Sequence, residues 1–290
     1  MTSATDRLFP GKAFISTVLE TLDTKTRMTG EMIQRYLQRA AMAGMIIALF
    51  YVANSTLVAV FAPLSLGETS LVGLGRAVGA AAFGWALVFI YYTKSELLTS
   101  NMMVVTIGVY YKRISWGRAL RLLALCLLGN FVGGLIFALL LRFSTLTSNA
   151  VGEVMTHSVA TKLAYITAGP SGWADLLVRA NLCNFLINLG MLLIYNGYIK
   201  DDLTKSFAMI MAVFIFAFIG LEHSVANTVL FTVVGLRDGI DVTLALCNVL
   251  IALVGNFVGG GLLIGLYYAY VNDDQHYRLR HESTAKTVID

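Results

Sequence analysis

His223 stands in the run Glu222-His223-Ser224-Val225-Ala226-Asn227, inside a stretch that is otherwise apolar. An ionisable group in such a setting is costly to keep and is a functional candidate by default. Imidazole titrates near neutrality, so it can donate or accept a proton or hydrogen-bond an anion. The other histidines, His157, His276 and His281, lie outside the apolar runs. A second polar cluster, Thr93-Lys94-Ser95-Glu96-Leu97-Leu98-Thr99-Ser100-Asn101, interrupts another apolar run. Thr99 can donate a hydroxyl proton to a passing group or simply satisfy loop backbone. Glu96 and Glu222 can accept hydrogen bonds from backbone N–H groups freed at these interruptions, or relay protons. No HExxH or CxxC accompanies the histidines, and Cys126, Cys183 and Cys247 all sit in apolar runs, so neither a metal site nor a disulfide framework is expected. A phosphate-binding Gly-rich loop and a Gly-x-Ser-x-Gly elbow are both missing. The expectation is a protein without cofactor that is not an enzyme.

The elements that hold these residues follow from composition. The chain has 290 residues, 57% hydrophobic and 13% charged, with mean hydropathy +0.74. Soluble domains carry about 25% charged residues. Between Ala41 and Thr93 only Glu68 and Arg76 are charged. A soluble globule cannot cover its surface that way, and disordered chains are polar. An all-α integral membrane protein remains. A crossing helix needs about 20 mostly apolar residues, and six runs qualify: 41–61, 77–109, 119–141, 175–198, 207–234 and 246–271. Runs two and five carry the polar interruptions, so helices 2 and 5 are expected to be broken.

Gly129-Asn130-Phe131-Val132-Gly133-Gly134 recurs as Gly255-Asn256-Phe257-Val258-Gly259-Gly260 at an offset of 126, which also carries Glu96 onto Glu222 and Asn101 onto Asn227. The chain therefore reads as two related halves of three spans each. An odd number of spans forces the second half to insert upside down, and inverted repeats with broken helices are a transport architecture. The glycines place small residues at helix contacts. Asn130 and Asn256 either bond a neighbouring helix or line a pore.

Basic residues set the orientation. Arg7, Lys12, Lys25, Arg27, Arg35, Arg39, Lys112, Arg113, Arg118, Arg121, Lys200, Lys205, Arg278, Arg280 and Lys286 fall on one side, 15 against the five of Arg76, Arg142, Lys162, Arg179 and Arg237. Both termini are expected in the cytoplasm. Residues 1–40 form a cytoplasmic amphipathic segment, 41–271 the six-span transmembrane channel domain and 272–290 a cytoplasmic tail. Ile15, Val18, Leu19 and Leu22 recur at helical spacing, giving a helix that lies on the inner membrane surface or packs on the protein's own cytoplasmic face. The net charge of +4 makes no case for nucleic acid.

Ser95-Glu96-Leu97-Leu98-Thr99-Ser100, Glu222-His223-Ser224-Val225-Ala226-Asn227 and Gly255-Asn256 with its glycine run resemble the formate/nitrite transporter family over about residues 12–272. The resemblance implies an aquaporin-like bundle of six transmembrane helices in two inverted three-helix repeats, assembled as a homopentamer in the lipid of the cytoplasmic (inner) membrane. It implies passage of small monovalent weak-acid anions: formate, nitrite, possible hydrosulfide, acetate or lactate, together with protons. By the same resemblance His223 is the central histidine and Thr99 the facing threonine. Asn184 and Asn256 are pore asparagines, and Lys162 belongs to a positive vestibule. Phe83 with Leu87, and Leu97 with Phe216, would form two apolar constrictions around the histidine. Glu96 and Glu222 would support the loops.

One position departs from the family. Where it commonly has glycine before Ser95, Lys94 stands here; that lysine could snorkel away, pair with Glu96 or add positive potential near the pore. An anion entering an apolar constriction faces a large desolvation cost, and a low dielectric favours its neutral acid. A neutral-solute, aquaporin-like pore is the alternative, and it would have no need of His223 or Lys162. A third, an intramembrane enzyme with His223 as acid/base, would have to recruit Glu222 or Glu96.

Overall fold

A chain this apolar can satisfy its backbone only within each segment, and helices result. The computed structural model describes residues 8–275 and is all-α apart from one short hairpin. Arg7, His276, Arg278, Arg280, His281, Lys286 and most of the expected tail lie outside the described residues.

Helix α1 (Lys12–Glu31) is followed by α2 (Ile33–Phe61). Strands β1 (Ser65–Leu66) and β2 (Thr69–Ser70) pair antiparallel around Gly67. Then come α3 (Val72–Tyr92), α4 (Leu98–Tyr110) and α5 (Trp116–Arg142). A 3-10 turn at Thr145–Thr147 leads to α6 (Asn149–Thr167) and α7 (Pro170–Tyr195). Helices α8 (Asp202–Phe218), α9 (Ser224–Asp238) and α10 (Val242–Asn256) follow. The last runs into a π-helix (Phe257–Leu266) and then α11 (Tyr267–Val271).

Among the described residues, five helical stretches are long and apolar enough to cross a membrane: α2, α3, α5, α7 and the continuous stretch Val242–Val271. The expected run 207–234 is no single helix of that kind; α8 and α9 divide it at residues 219–223. The run 77–109 is likewise divided into α3 and α4 at residues 93–97. The interruptions are shorter than the polar clusters suggested, because Leu98–Asn101 and Ser224–Asn227 already belong to the next helices.

Both first half-helices end in the same way. Lys94 (φ 56°) and Gly220 (φ 76°) turn the backbone left-handed. The next residue bonds back across the last turn, Ser95 N–H to Ile90 O at 3.0 Å and Leu221 N–H to Phe216 O at 2.9 Å. This six-to-one closure is the Schellman way of stopping a helix. Leu97 and His223 then run extended into the following helix.

The amphipathic helix α1 packs against the rest of the protein. Phe14, Val18 and Leu22 are buried in the protein, and Leu22 fits over Gly108 of α4, where a Cβ would meet Leu22 Cδ2 at 2.0 Å. A clasp ties its start to the far end of the bundle: Gly11 N–H donates to Asn272 Oδ1 (2.7 Å), Lys12 pairs with Asp274 at 2.5 Å, and Phe14 stands edge-on to Tyr268. The repeated glycines are sites of helix contact. A Cβ on Gly133 would come 1.8 Å from Ala41 O, and one on Gly259 2.0 Å from Asn181 O.

Candidate functional site

The two breaks are braced by one repeated set of bonds. Asn130 Oδ1 accepts from Leu98 N–H at 3.1 Å, while its Nδ2 donates to Ala40 O and Glu96 O, both at 2.8 Å. Asn256 Oδ1 accepts from Ser224 N–H at 2.9 Å, while its Nδ2 donates to Ala180 O at 2.7 Å and Glu222 O at 3.0 Å. Each asparagine thus satisfies backbone groups that a broken helix leaves open in a water-poor interior. Of the two readings of Asn130 and Asn256, the bonding one describes these contacts. Arg39 Nε donates to Lys94 O (2.8 Å) and Arg179 Nη1 to Gly220 O (3.1 Å), which repeats the pattern at the helix ends.

Glu96 and Glu222 do not accept from the freed backbone amides, contrary to expectation, because the asparagines already do. Their carboxylates instead receive Asn101 Nδ2 and Asn227 Nδ2 and one lysine each. Lys25, from α1, pairs with Glu96. Lys162, from α6, donates to both Glu222 oxygens at 2.8 Å. The carboxylates are 4–5% exposed and both lysines 13%. Helices α1 and α6 therefore play equivalent parts, each delivering a lysine to the break of its own half.

His223 Nδ1 accepts from Ala226 N–H at 3.0 Å, capping α9. The neutral ring must then carry its proton on Nε2, which lies 3.0 Å from Thr99 Oγ1. A second proton on the ring would sit on Nδ1 and displace the cap. Phe216 stacks on the imidazole with centroids 5.9 Å apart, and Phe83 meets Phe216 edge-on at 6.2 Å.

Three cavities are strung past this histidine. One of about 590 Å³ is walled by Tyr51, Arg76, Glu153, His157, Lys162, Arg179 and Glu222, and reaches Phe83, Phe216 and His223. A neck of about 20 Å³ has room for roughly one water molecule. Beyond it, a cavity of about 450 Å³ is walled by Lys25, Arg39, Lys94, Ser95 and Glu96, and reaches Leu87, Ile90 and Leu97. The neck wall is built from repeat-related pairs: Ile47 with Ile187, Leu87 with Val213, Ile90 with Phe216 and Leu97 with His223.

Of the residues singled out from sequence, His223, Phe83, Leu87, Leu97 and Phe216 meet at the neck, and Lys162 lines the larger cavity. The expected pairing of the apolar residues is corrected. Phe83 and Phe216 border the larger cavity, and Leu87 and Leu97 the other. Phe83 and Leu87 lie one helical turn apart on α3, so they stand at successive depths rather than side by side. Thr99, Asn184 and Asn256 are buried behind the cavity walls. Asn184 Nδ2 donates to Thr99 O and Asn256 O, and Asn188 joins the same knot by donating to Thr99 O. Sequence reading missed Lys25, Asn188 and His157. The match of Lys25 to Lys162 is hidden because the two lie 137 positions apart, off the repeat offset of 126.

Membrane-length helices around a string of cavities with charged mouths and an apolar neck define a membrane channel or transporter. The sequence model described as formate/nitrite transporter matches residues 12–270. The chain is 34% identical to the nitrite transporter NirC of Salmonella typhimurium over 67% of this chain and 70% of that protein. Among solved structures it is similar to an "FNT family ion channel" (TM-score 0.75, 27% identity, 90% of this chain and 99% of the other). A "pentameric formate channel with formate bound" shares the fold (TM-score 0.66, 19% identity, 82% and 97%). The chain belongs to the formate/nitrite transporter family, whose members are channels and transporters of small anions such as formate and nitrite, not enzymes. It is a multi-pass membrane protein.

Proposed function

We propose that this chain conducts small monovalent weak-acid anions, of the formate and nitrite type, as their neutral acids through the neck at His223. The observation that carries the reading is a histidine, His223, lining a neck of about 20 Å³ that is otherwise apolar, with charged cavities on both sides. A charged anion would lose its hydration there without replacement. The local dielectric favours the protonated form, which passes Phe83, Phe216, Leu87 and Leu97 at far lower cost.

The geometry bears on where the proton comes from. A neutral imidazole that gave up its Nε2 proton would become an anion, and an imidazolium would have to displace the Ala226 cap. His223 therefore stays neutral and offers its one N–H, on Nε2 and shared with Thr99 Oγ1, to orient the anion, while water in the cavity supplies the proton. Lys162 stands on the wall of the larger cavity paired with Glu222, so its charge there is largely offset by that carboxylate. Asn184 and Asn256 act one layer back, and Glu96 and Glu222 from the cavity walls, to hold the breaks in shape.

The architecture proposed for this work is two inverted three-span repeats with helices 2 and 5 broken, aquaporin-like and assembled as a homopentamer. The repeated asparagine, arginine and lysine contacts support the repeat, and the pentameric title of the similar formate channel supports the assembly. The chain sits in the cytoplasmic membrane with both termini inside, which puts the α1-side cavity in the cytoplasm. Proteoliposome flux of formate, nitrite, hydrosulfide, acetate, lactate and a neutral solute such as glycerol, at two pH values, tests the reading. Anion flux should rise as pH falls. Glycerol passing while every anion is refused would overturn it.

A further inference from the structure

Lys94 occupies a backbone position that suits glycine. Its φ is 56°, and the residue in the same place of the other break is Gly220 at 76°. A side chain there crowds the neighbouring carbonyl, yet a lysine is kept, and it is exposed. It does not pair with Glu96, because Lys25 does. Lys94 Nζ lies 4.9 Å from the centre of the Tyr91 ring, on the wall of the cavity of about 450 Å³.

The charge balance of that wall is uneven. Among the described residues it carries Lys25, Arg39, Lys94 and a single carboxylate, Glu96. Arg39 turns Nε to the Lys94 carbonyl, which satisfies a hydrogen bond and neutralises nothing. The cavity on the other side is closer to balance: Lys162 faces Glu222, Arg179 pairs with Asp175, and Glu153 shares the wall with Arg76.

We propose that Lys94 and Arg39 form an anion-docking site at the mouth of the α1-side cavity, which collects the small monovalent anion before it reaches the neck. The inference rests on the transport reading above and adds a sidedness to it. The strained lysine concentrates anion on one face of the membrane, so half-saturation is reached at lower concentration from that face than from the other. Capture at this mouth is electrostatic and falls with ionic strength.

The test uses the full-length chain in oriented proteoliposomes, with formate and nitrite presented from either face. Lys94→Gln should raise the half-saturating concentration from the α1 side by roughly threefold, the effect of one unit charge a few ångströms away in water. Maximal rate and half-saturation from the opposite face should stay at wild-type values. Lys94→Arg should behave as wild type, and 0.5 M of an impermeant salt should erase the difference on the order of a Debye length of 4–5 Å. Lys94→Gly should weaken capture equally while raising Tm, since glycine fits the left-handed backbone; it also keeps the test decisive if Lys94→Gln folds poorly. A conducting wild type whose Lys94→Gln and Lys94→Gly variants keep wild-type half-saturation overturns this inference alone. A wild type that moves neither anion overturns the transport reading and this inference together.

Discussion

His223 occupies in the second half of the chain the place that Leu97 holds in the first: each is the extended residue before a half-helix, and both face the neck. One architectural position is thus apolar on one wall and hydrogen-bonding on the other. A neck with two histidines would hold water and charge, and one with two leucines would offer an anion nothing. In the proposed mechanism, this difference of type between the repeats is the selective point.

His223→Asn retains a hydrogen-bond donor but cannot titrate. If water supplies the proton, the variant should keep the pH dependence of flux set by the substrate's own acid, with the neutral fraction falling about tenfold per pH unit above its pKa, and lose rate or selectivity. His223→Phe should lose flux more severely. Stopped-flow flux across pH 5–8 reads both. A wild-type profile with a transition near the unperturbed histidine value of about 6.5, absent from His223→Asn, would instead make the ring the proton donor. Wild-type flux in both variants would remove His223 from the pathway.

Replacing Phe83 or Phe216 by alanine should widen the neck, admit water and raise ionic leak without abolishing flux, because each ring closes the passage but binds nothing. Conductance in planar bilayers measures the leak. Complete loss of transport in folded Phe83→Ala protein would contradict this role.

Lys162→Ala leaves Glu222 as an unpaired charge in a site where the carboxylate is 4% exposed. Removing one partner of a buried pair costs roughly 3–5 kcal/mol, so the yield of folded protein should collapse. Lys162→Met combined with Glu222→Gln should recover folding, since no lone charge remains, and should leave the net charge of that mouth unchanged while altering its polarity. Thermal unfolding in detergent, followed by flux, separates the two effects. A stable Lys162→Ala protein would show that the pair does not hold the break.

Asn256→Ala strips partners from Ser224 N–H, Ala180 O and Glu222 O at once. Each buried group left open costs about 1–3 kcal/mol, so Tm should drop steeply, and Asn130→Ala should behave alike. Unchanged Tm with altered flux would return these asparagines to the pore wall.

The excess of basic residues on the side of the termini predicts that a reporter fused after Asp290 is active only in its cytoplasmic format. Activity of a periplasm-dependent reporter at that position would reverse the orientation.

Much of this was legible in the sequence because two hexapeptides share an offset of 126 and because polar letters stand out in apolar runs. His223 stands out in that way, whereas Phe83, Leu87, Leu97 and Phe216 are implied only by the resemblance to the family. The first helices of the two halves align differently: Ala40 and Ala180, which serve Asn130 and Asn256 alike, lie 140 positions apart. From Ala40 to Leu87 the first half runs 47 positions where Ala180 to Val213 runs 33, through longer helices as well as a longer, hairpin-bearing link, so a single offset misses α1, α6 and their lysines. The roles of the glutamates were misread for a different reason. An exposed amide and a lysine both attract a carboxylate, and only the arrangement of helices decides which one is near. Breaks looked longer than they are because the polar residues Thr99, Ser100 and Asn101, and Ser224 and Asn227, stand in the first turns of α4 and α9, where composition alone does not tell helix from loop.

The clasp between Gly11, Lys12 and Phe14 and residues 268–274 also sets an order of assembly. Helix α1 leaves the ribosome well before its fastenings exist, and Asn272 and Asp274 are made after every half-helix has been threaded. Synthesis of residues 268–274 is what allows α1 to be fastened at that end, and α1 carries the lysine that meets Glu96. A translation product cut short before Tyr268 would hold all of the neck residues yet lack the fastening at the start of α1.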